Sequence, residues 1–286
     1  MSDLGHLAIM SRRLGANPAY VQGGGGNTSI KVDGERMWIK ASGFELASAD
    51  PDTSFVAVAH QAIREGILRC RHEADYMALV ANSVLSSPLA DRTPRPSIET
   101  GFHALLGPAV LHTHSIWTNL LTCSLEGKQI AHELMPQSLW IPYAAPGLAV
   151  TRAIAERLVA PSETGVLLLE NHGLIVAGGN LDAALALHEE VNEKVQRHFS
   201  LALDEFADCA SQFSDVGWLL FPDQAVYLAS DVLRSSKAGR ETQWAYDALC
   251  NGMRRLGLSP KFLPAGEGEA LLAMESEKHR QKVLSQ

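Results

Sequence analysis

The sequence predicts an α/β fold with a substantial sheet, and two observations carry that reading. Short runs rich in strand formers, such as "TSIKV", "RMWIK", "AVLH" and "GVLLL", alternate with longer stretches whose apolar residues recur at helical spacing. The chain's 286 residues are 46% hydrophobic, enough to bury a sizeable core, yet no apolar run approaches the roughly 18 residues of a membrane span. A net charge of −8, with acids and bases interspersed, points away from nucleic acid and from a polybasic membrane contact.

The elements follow in order. "MSDLGHLAIMSRRLG" is too charged for a secretory signal and reads as an amphipathic helix. "TSIKV" and "RMWIK", joined by "DGE", form a hairpin that "GGGGN" enters and "ASG" leaves. "TSFVAVAH" is a further strand, and residues 58–70 and 73–87 are helical. "PSIETGFHALLG" opens with Pro and Ser and continues at helical spacing, as a capped helix does. "AVLH" is a buried strand, followed by a helix from about Ser115. "SLWIPYAAPG" leads from a strand into a loop, and "LAVTRAIAERLV" is a helix. "TGVLLLENHGLIVAGGN" gives two strands interrupted by "ENHG", and "LDAALALHEEVNEKVQRHFSLAL" is a long amphipathic helix. Beyond Phe206 the character changes. "FADCASQFSDVGWLLFPDQAVYLASDV" contains a few strand-like runs, while "RETQWAYDALCNGMRRLG" and "GEGEALLAMESEKHRQKVL" are helical. The expected division is a main domain over 1–205 and a C-terminal extension over 206–286, packed on it or between subunits. Cys70, Cys123, Cys209 and Cys250 form no CxxC pair and read as reduced thiols of a cytoplasmic protein.

The chemistry concentrates in a few places. His112 and His114 sit one residue apart at a strand end, so they share a face with Cα atoms roughly 6.6 Å apart. Alone, such a pair is most often two satisfied polar residues. His172, at the end of "GVLLLENH" before a permissive Gly173, supplies a third imidazole, and three histidines with one open position suit a catalytic metal ion. Glu99, early in its helix, either complements the helix dipole or, beside a metal, moves a proton to or from carbon. His103, one turn after Glu99, reads as a residue that packs the helix or backs a ligand rather than as a ligand itself. The loops "GGGGNTS", "KASG" and "PS" present backbone N–H groups, hydroxyls and Lys40, which together suit an anion.

The order "GGGGNTS", "ASG", "PSIET…H", "HTH" and "ENHG" resembles the class II aldolase/adducin superfamily, whose best-known enzymes are the fuculose-1-phosphate and rhamnulose-1-phosphate aldolases. The resemblance spans about residues 5–200. It implies a three-layer α/β/α fold around a central, mainly antiparallel sheet, and a homotetramer. It implies Zn2+, or a related divalent ion such as Mn2+ or Co2+, held by His112, His114 and His172. Glu99 matches the catalytic acid/base, and Gly26, Asn27, Ser42, Gly43 and Ser97 match the substrate-phosphate contacts. The implied reaction is cleavage of a ketose 1-phosphate to dihydroxyacetone phosphate and an aldehyde through a metal-stabilised enediolate.

Three departures stand out. The aldolase motif reads Ser-Ser-Glu, whereas Ile98 stands here in place of the second serine. The tyrosine that protonates the aldolases' leaving group comes from a C-terminal segment of a neighbouring subunit; Tyr227 is a candidate here without a motif to carry it. The stretch after residue 205 is longer than in the smallest members and looks like the aldolase part of rhamnulose-phosphate aldolase/dehydrogenase fusions. The same scaffold serves decarboxylases of 3-oxo-tetronate phosphates, which keep the Glu, and pentulose-phosphate epimerases, which carry Asp at the Glu99 position. Adducin-like binding modules lack the metal set that His112, His114 and His172 form.

Overall fold

The computed structural model of the chain describes residues 2–86, 94–159, 164–202, 219–276 and 278. Its frame is one sheet of eight strands: β1 (Asn27–Lys31), β2 (Arg36–Lys40), β3 (Phe55–Ala59), β4 (Val84–Ser86), β5 (Ala109–Thr113), β6 (Leu139–Ile141), β7 (Gly165–Leu169) and β8 (Gly173–Gly178). The spatial order is β4-β3-β2-β1-β5-β8-β7-β6. Every neighbouring pair is antiparallel except β6 with β7. The β1–β2 hairpin closes where the Asp33 carboxylate accepts the Glu35 and Arg36 N–H groups at 2.8 and 2.6 Å.

The helices before the sheet's last strand are α1 (Asp3–Gly15), α2 (His60–Ile67), α3 (Glu73–Asn82), α4 (Thr100–Leu105), α5 (Ile116–Thr122), α6 (Gly127–Leu134) and α7 (Leu148–Ala155). After it come α8 (Leu181–Phe199), α9 (Pro222–Tyr227), α10 (Asp231–Ser235), α11 (Lys237–Leu256) and α12 (Glu267–Ala273). They cover both faces of the sheet, because strands buried on both sides need an apolar partner on each. On one face, residues of α1, α5, α8 and α11 meet inward side chains such as Leu111, Leu174 and Val176. On the other, α2, α3, α4 and α7 meet Met37, Ile39, Val110 and Ile175.

Several sequence expectations change. The helix expected over 73–87 ends at Asn82, and β4 follows. The helix expected from residue 58 starts at His60, because Val58 and Ala59 pair with β2. Within "LLFPDQAVYLASDV" the strand-like runs are the helices α9 and α10. Pro222 takes the first helical turn after the extended Phe221, and a short apolar run alone does not tell a buried helix from a strand. In "GEGEALLAMESEKHRQKVL" the helix α12 ends at Ala273, and residues 277 and 279–286 lie outside the described residues. So do Cys209 and the boundary placed near residue 205. Residues on the far side of that boundary share a core with the sheet: Leu220, Phe221, Leu249 and Met253 pack in one cluster with Trp117, Leu168 and Leu174.

Candidate metal centre

The sheet explains why the three histidines meet. Ala109 and Leu111 of β5 pack towards α1 and α8, so the alternation of a strand turns Val110 and His112 to the opposite face, where the His112 ring meets the edge of Phe102 of α4. His114 lies just past the end of β5 and keeps that side. His172 lies in the tight turn between β7 and β8, beside β5. The turn is reached through Asn171 at φ 54°, a left-handed conformation that asparagine tolerates. A Cβ on Gly173 would stand 2.3 Å from the Thr113 carbonyl, so only glycine lets this turn press against the end of β5.

Glu99 arrives from the other side, immediately before α4 rather than inside its first turn. Its segment is tied down by Tyr76, whose hydroxyl donates to the Ile98 carbonyl at 2.6 Å and accepts the Gly101 N–H at 2.8 Å. Thr100 adds a bond from its hydroxyl to the Ser97 carbonyl at 2.6 Å. His103 is buried behind this segment, with Nδ1 2.7 Å from Ser29 Oγ, as a packing residue would be.

The geometry is that of a ligand set. The three imidazole centroids stand 5.0, 5.0 and 5.1 Å apart, and one ligand atom from each of Glu99, His112, His114 and His172 lies within 4.8 Å of all the others. His112 Nε2 is 3.2 Å from His114 Nε2 and 3.2 Å from Glu99 Oε1; His172 Nε2 is 3.5 Å from the same oxygen. Four nitrogen and oxygen ligands at about 2.0–2.1 Å from a tetrahedral ion would stand roughly 3.3–3.4 Å apart.

The outer bonds decide which ring nitrogens carry hydrogen. His112 Nδ1 is 3.0 Å from the Leu174 carbonyl, which can only accept, so Nδ1 carries the proton. His114 Nδ1 faces Asp223 Oδ2 at 3.1 Å and carries its proton for the same reason. In their neutral forms the two Nε2 lone pairs then face each other, and that of His112 also faces the Glu99 carboxylate. Such a cluster of acceptors is stable only around a cation, which a divalent metal ion supplies and a shared proton supplies less completely. The donor set therefore fits a divalent metal.

The same contacts set how these groups titrate. Burial pushes the Glu99 carboxyl up, but His112 and His172 outweigh it and hold it well below the usual carboxylate range. Burial also pulls His112 down, but the adjoining Glu99 charge leaves it raised. Burial takes His172 down to about 4, so this ring is neutral at pH 7 and keeps a lone pair for a metal.

Asp223 is a site residue that sequence reasoning missed. It lies on α9, is 4% exposed, and lines the pocket over the histidines. A lone Asp in "FPDQ" carries no motif, so nothing in the sequence marks it.

The anion-binding candidates divide. Gly26, Lys40, Ser42, Gly43, Ser97 and Ile98 line the pocket together with Glu99, His114 and His172. Ala41 bridges to Pro96 and the Ser42 N–H donates to the Arg95 carbonyl, which lays the "ASG" loop beside "PSIE". Asn27 is 1% exposed; its side-chain oxygen accepts the Thr28 N–H, and it is not among the described residues that line the pocket. Of the glycine run, the Gly23 N–H is taken by the Glu241 carboxylate at 2.6 Å and the Gly25 N–H by the Gln22 carbonyl at 3.0 Å. Tyr227 is buried in a small cluster with Val226 and Ala238 and does not line the pocket.

Comparison with known proteins gives a consistent picture. The family described as "Class II Aldolase and Adducin N-terminal domain" matches residues 6–198. An uncharacterized oxidoreductase, YuxG, of Bacillus subtilis is 30% identical over 211 residues; the match covers 67% of this chain but 30% of that protein's own length. The 3-oxo-tetronate 4-phosphate decarboxylase of Haemophilus influenzae is 26% identical over 219 residues, 70% of this chain and 90% of that one. Among solved structures, the N-terminal class II aldolase domain of a conserved protein from Thermoplasma acidophilum shares the fold at a TM-score of 0.59 and 21% identity, over 69% of this chain and 93% of that one.

Proposed function

The chain belongs to the class II aldolase and adducin family, and from that premise we propose that it is a metal-dependent carbon–carbon lyase acting on a small sugar phosphate, with aldol cleavage of a ketose 1-phosphate as the leading reading. The observation that carries this is the convergence of three imidazole nitrogens and the Glu99 carboxylate within 4.8 Å, with Glu99, His114 and His172 lining one pocket. A divalent ion held by His112, His114 and His172 would supply Lewis-acid stabilisation of the negative charge that builds on a substrate oxygen as the neighbouring carbon–carbon bond breaks. Three imidazole nitrogens with one open position suit Zn2+, and metal analysis separates it from Mn2+ and Co2+.

The chain's own residues do the rest. Glu99, ionised at neutral pH, takes the proton of the substrate hydroxyl whose carbon becomes the aldehyde, and returns a proton to the carbon left behind. Lys40, Ser42, Gly43 and Ser97, which line the pocket, receive the substrate's anionic group. Ile98 lines the same pocket, so the anion meets one hydroxyl fewer than a Ser-Ser-Glu motif would give. The partial match to a longer oxidoreductase-named chain is what the aldolase part of an aldolase/dehydrogenase fusion would give.

Decarboxylation of a 3-oxo acid phosphate is the second reading, favoured by the relative of that name that matches over 90% of its length. It leaves the same kind of carbanion next to a carbonyl but releases carbon dioxide from a carboxylate, and so needs no group to take a proton from a substrate hydroxyl. A panel of ketose 1-phosphates and 3-oxo acid phosphates, assayed for dihydroxyacetone phosphate and for carbon dioxide, separates the two. Turnover of unphosphorylated substrates as fast as of phosphorylated ones would remove the phosphate from the reading. The homotetramer is part of the same proposal and is tested by light scattering on the purified protein.

A further inference from the structure

The family match ends at residue 198, yet the segment from Leu219 onward touches two of the three histidine-bearing stretches. On one side Asp223 of α9 places Oδ2 3.1 Å from His114 Nδ1, with the carboxylate 4% exposed. On the other, the Asn171 side-chain amide donates to the Leu220 carbonyl at 2.8 Å and to the Lys261 carbonyl at 2.6 Å, which locks the left-handed residue just before His172. Lys261 adds an ion pair to Glu170 at 2.7 Å.

We propose that Asp223 is a positioning residue for the metal centre: it holds the Nδ1 proton of His114, so that Nε2 presents its lone pair to the ion, and the C-terminal segment thereby orients an imidazole to whose Nδ1 the matched domain gives no hydrogen-bond partner among the described residues. The physical reason is twofold. An imidazole free to exchange tautomers presents the wrong nitrogen part of the time, and a carboxylate on the far nitrogen makes the ligating one more basic. Burial strengthens the contact, because water does not compete for the Asp223 oxygen.

This inference rests on the metal reading above, and the test keeps the two apart. The full chain is stripped with a chelator. Its Zn2+ affinity is then measured by competition with a chromophoric chelator, and its Co2+ form by visible absorption. Removal of a carboxylate behind a ligating histidine typically costs about 10–100-fold in metal affinity. Asp223→Ala is expected to show that loss together with a shifted Co2+ band, Asp223→Asn a smaller loss, and Asp223→Glu a partial recovery. Glu267→Ala, which removes the 2.8 Å contact of the same segment with the Tyr143 hydroxyl, is expected to stay within twofold of the parent. If Asp223→Ala unfolds at the assay temperature, the Asn variant carries the comparison. Parent-like affinity and spectrum in the Asp223 variants, while His112→Ala loses the metal, would overturn the positioning role and leave the metal centre standing. An equal loss in Glu267→Ala would overturn it as well, by showing a general loosening of the segment. Equal metal uptake by the parent and His112→Ala would remove the metal reading itself, and this inference with it.

Discussion

Gly25→Ala is the most direct test of how the site is held. The residue is not at positive φ, so alanine suits its backbone; what forbids a side chain is the His114 ring. An ideal Cβ would stand 2.6 Å from His114 Nδ1, 3.0 Å from Cε1 and 3.0 Å from the Gln22 carbonyl, whereas ordinary contact begins near 3.4 Å. The ring must therefore retreat by about 0.8 Å or the loop must move by as much. His114 Nε2 now lies 3.2 Å from its His112 counterpart, and a displacement of this size takes it out of a ligand set that tolerates about 0.5 Å. Misplacement near 1 Å costs on the order of 10²-fold in rate, or about 2.7 kcal/mol. The expected outcome is a folded protein, with far-ultraviolet circular dichroism like the parent's, whose metal affinity and kcat/KM each fall by one to two orders of magnitude. Metal affinity and turnover both within threefold of the parent would refute the claim that His114 is seated against the glycine loop as a ligand.

Three further outcomes follow from the same structure. Glu99→Gln keeps the shape but cannot take a proton, so turnover should fall by about 10²–10⁴-fold while the protein still binds metal; activity within a few-fold of the parent would reduce Glu99 to a helix-terminal charge. Tyr76→Phe leaves the Ile98 carbonyl and the Gly101 N–H without their partner in a fully buried place, and thermal unfolding should show a loss of about 2–4 kcal/mol; an unchanged melting temperature would show that water replaces the hydroxyl. Burial takes His188 down to about 3 in the folded chain, against about 6.5 unfolded. The unfolded state therefore binds the extra proton between those values, and stability is lost as pH falls from about 6.5 towards 3, by at most about 4–5 kcal/mol. Urea titrations from pH 7 to pH 4 should show a shallower decline in His188→Gln, and parallel declines would remove His188 from the account.

The same-side histidine pair, the place of His172 at a strand turn and the strands of the middle of the fold are legible in the sequence alone. The two-residue period of a strand puts His112 and His114 on one side whatever surrounds them, and the apolar runs on either side of "ENHG" can pair only if His172 lies at their turn. These are local rules, so they survive without knowledge of the rest of the chain. Tertiary structure decided whatever depends on distant segments meeting. Glu99 reads equally well as a dipole-complementing charge until α4 is seated on β5 with the Tyr76 hydroxyl beneath it. The glycine run reads as one anion cradle; in the fold Glu241, on a helix more than two hundred residues away, takes the Gly23 N–H, while Gly26 lines the pocket. Asp223 carries no motif, and α9 around it reads as a strand; it joins the site because α9 comes to rest over the histidines, in a segment whose neighbours Leu220 and Phe221 share the main apolar core. Periodicity follows from the geometry of one segment, whereas such meetings depend on which apolar faces bury one another, and that is a property of the whole folded chain.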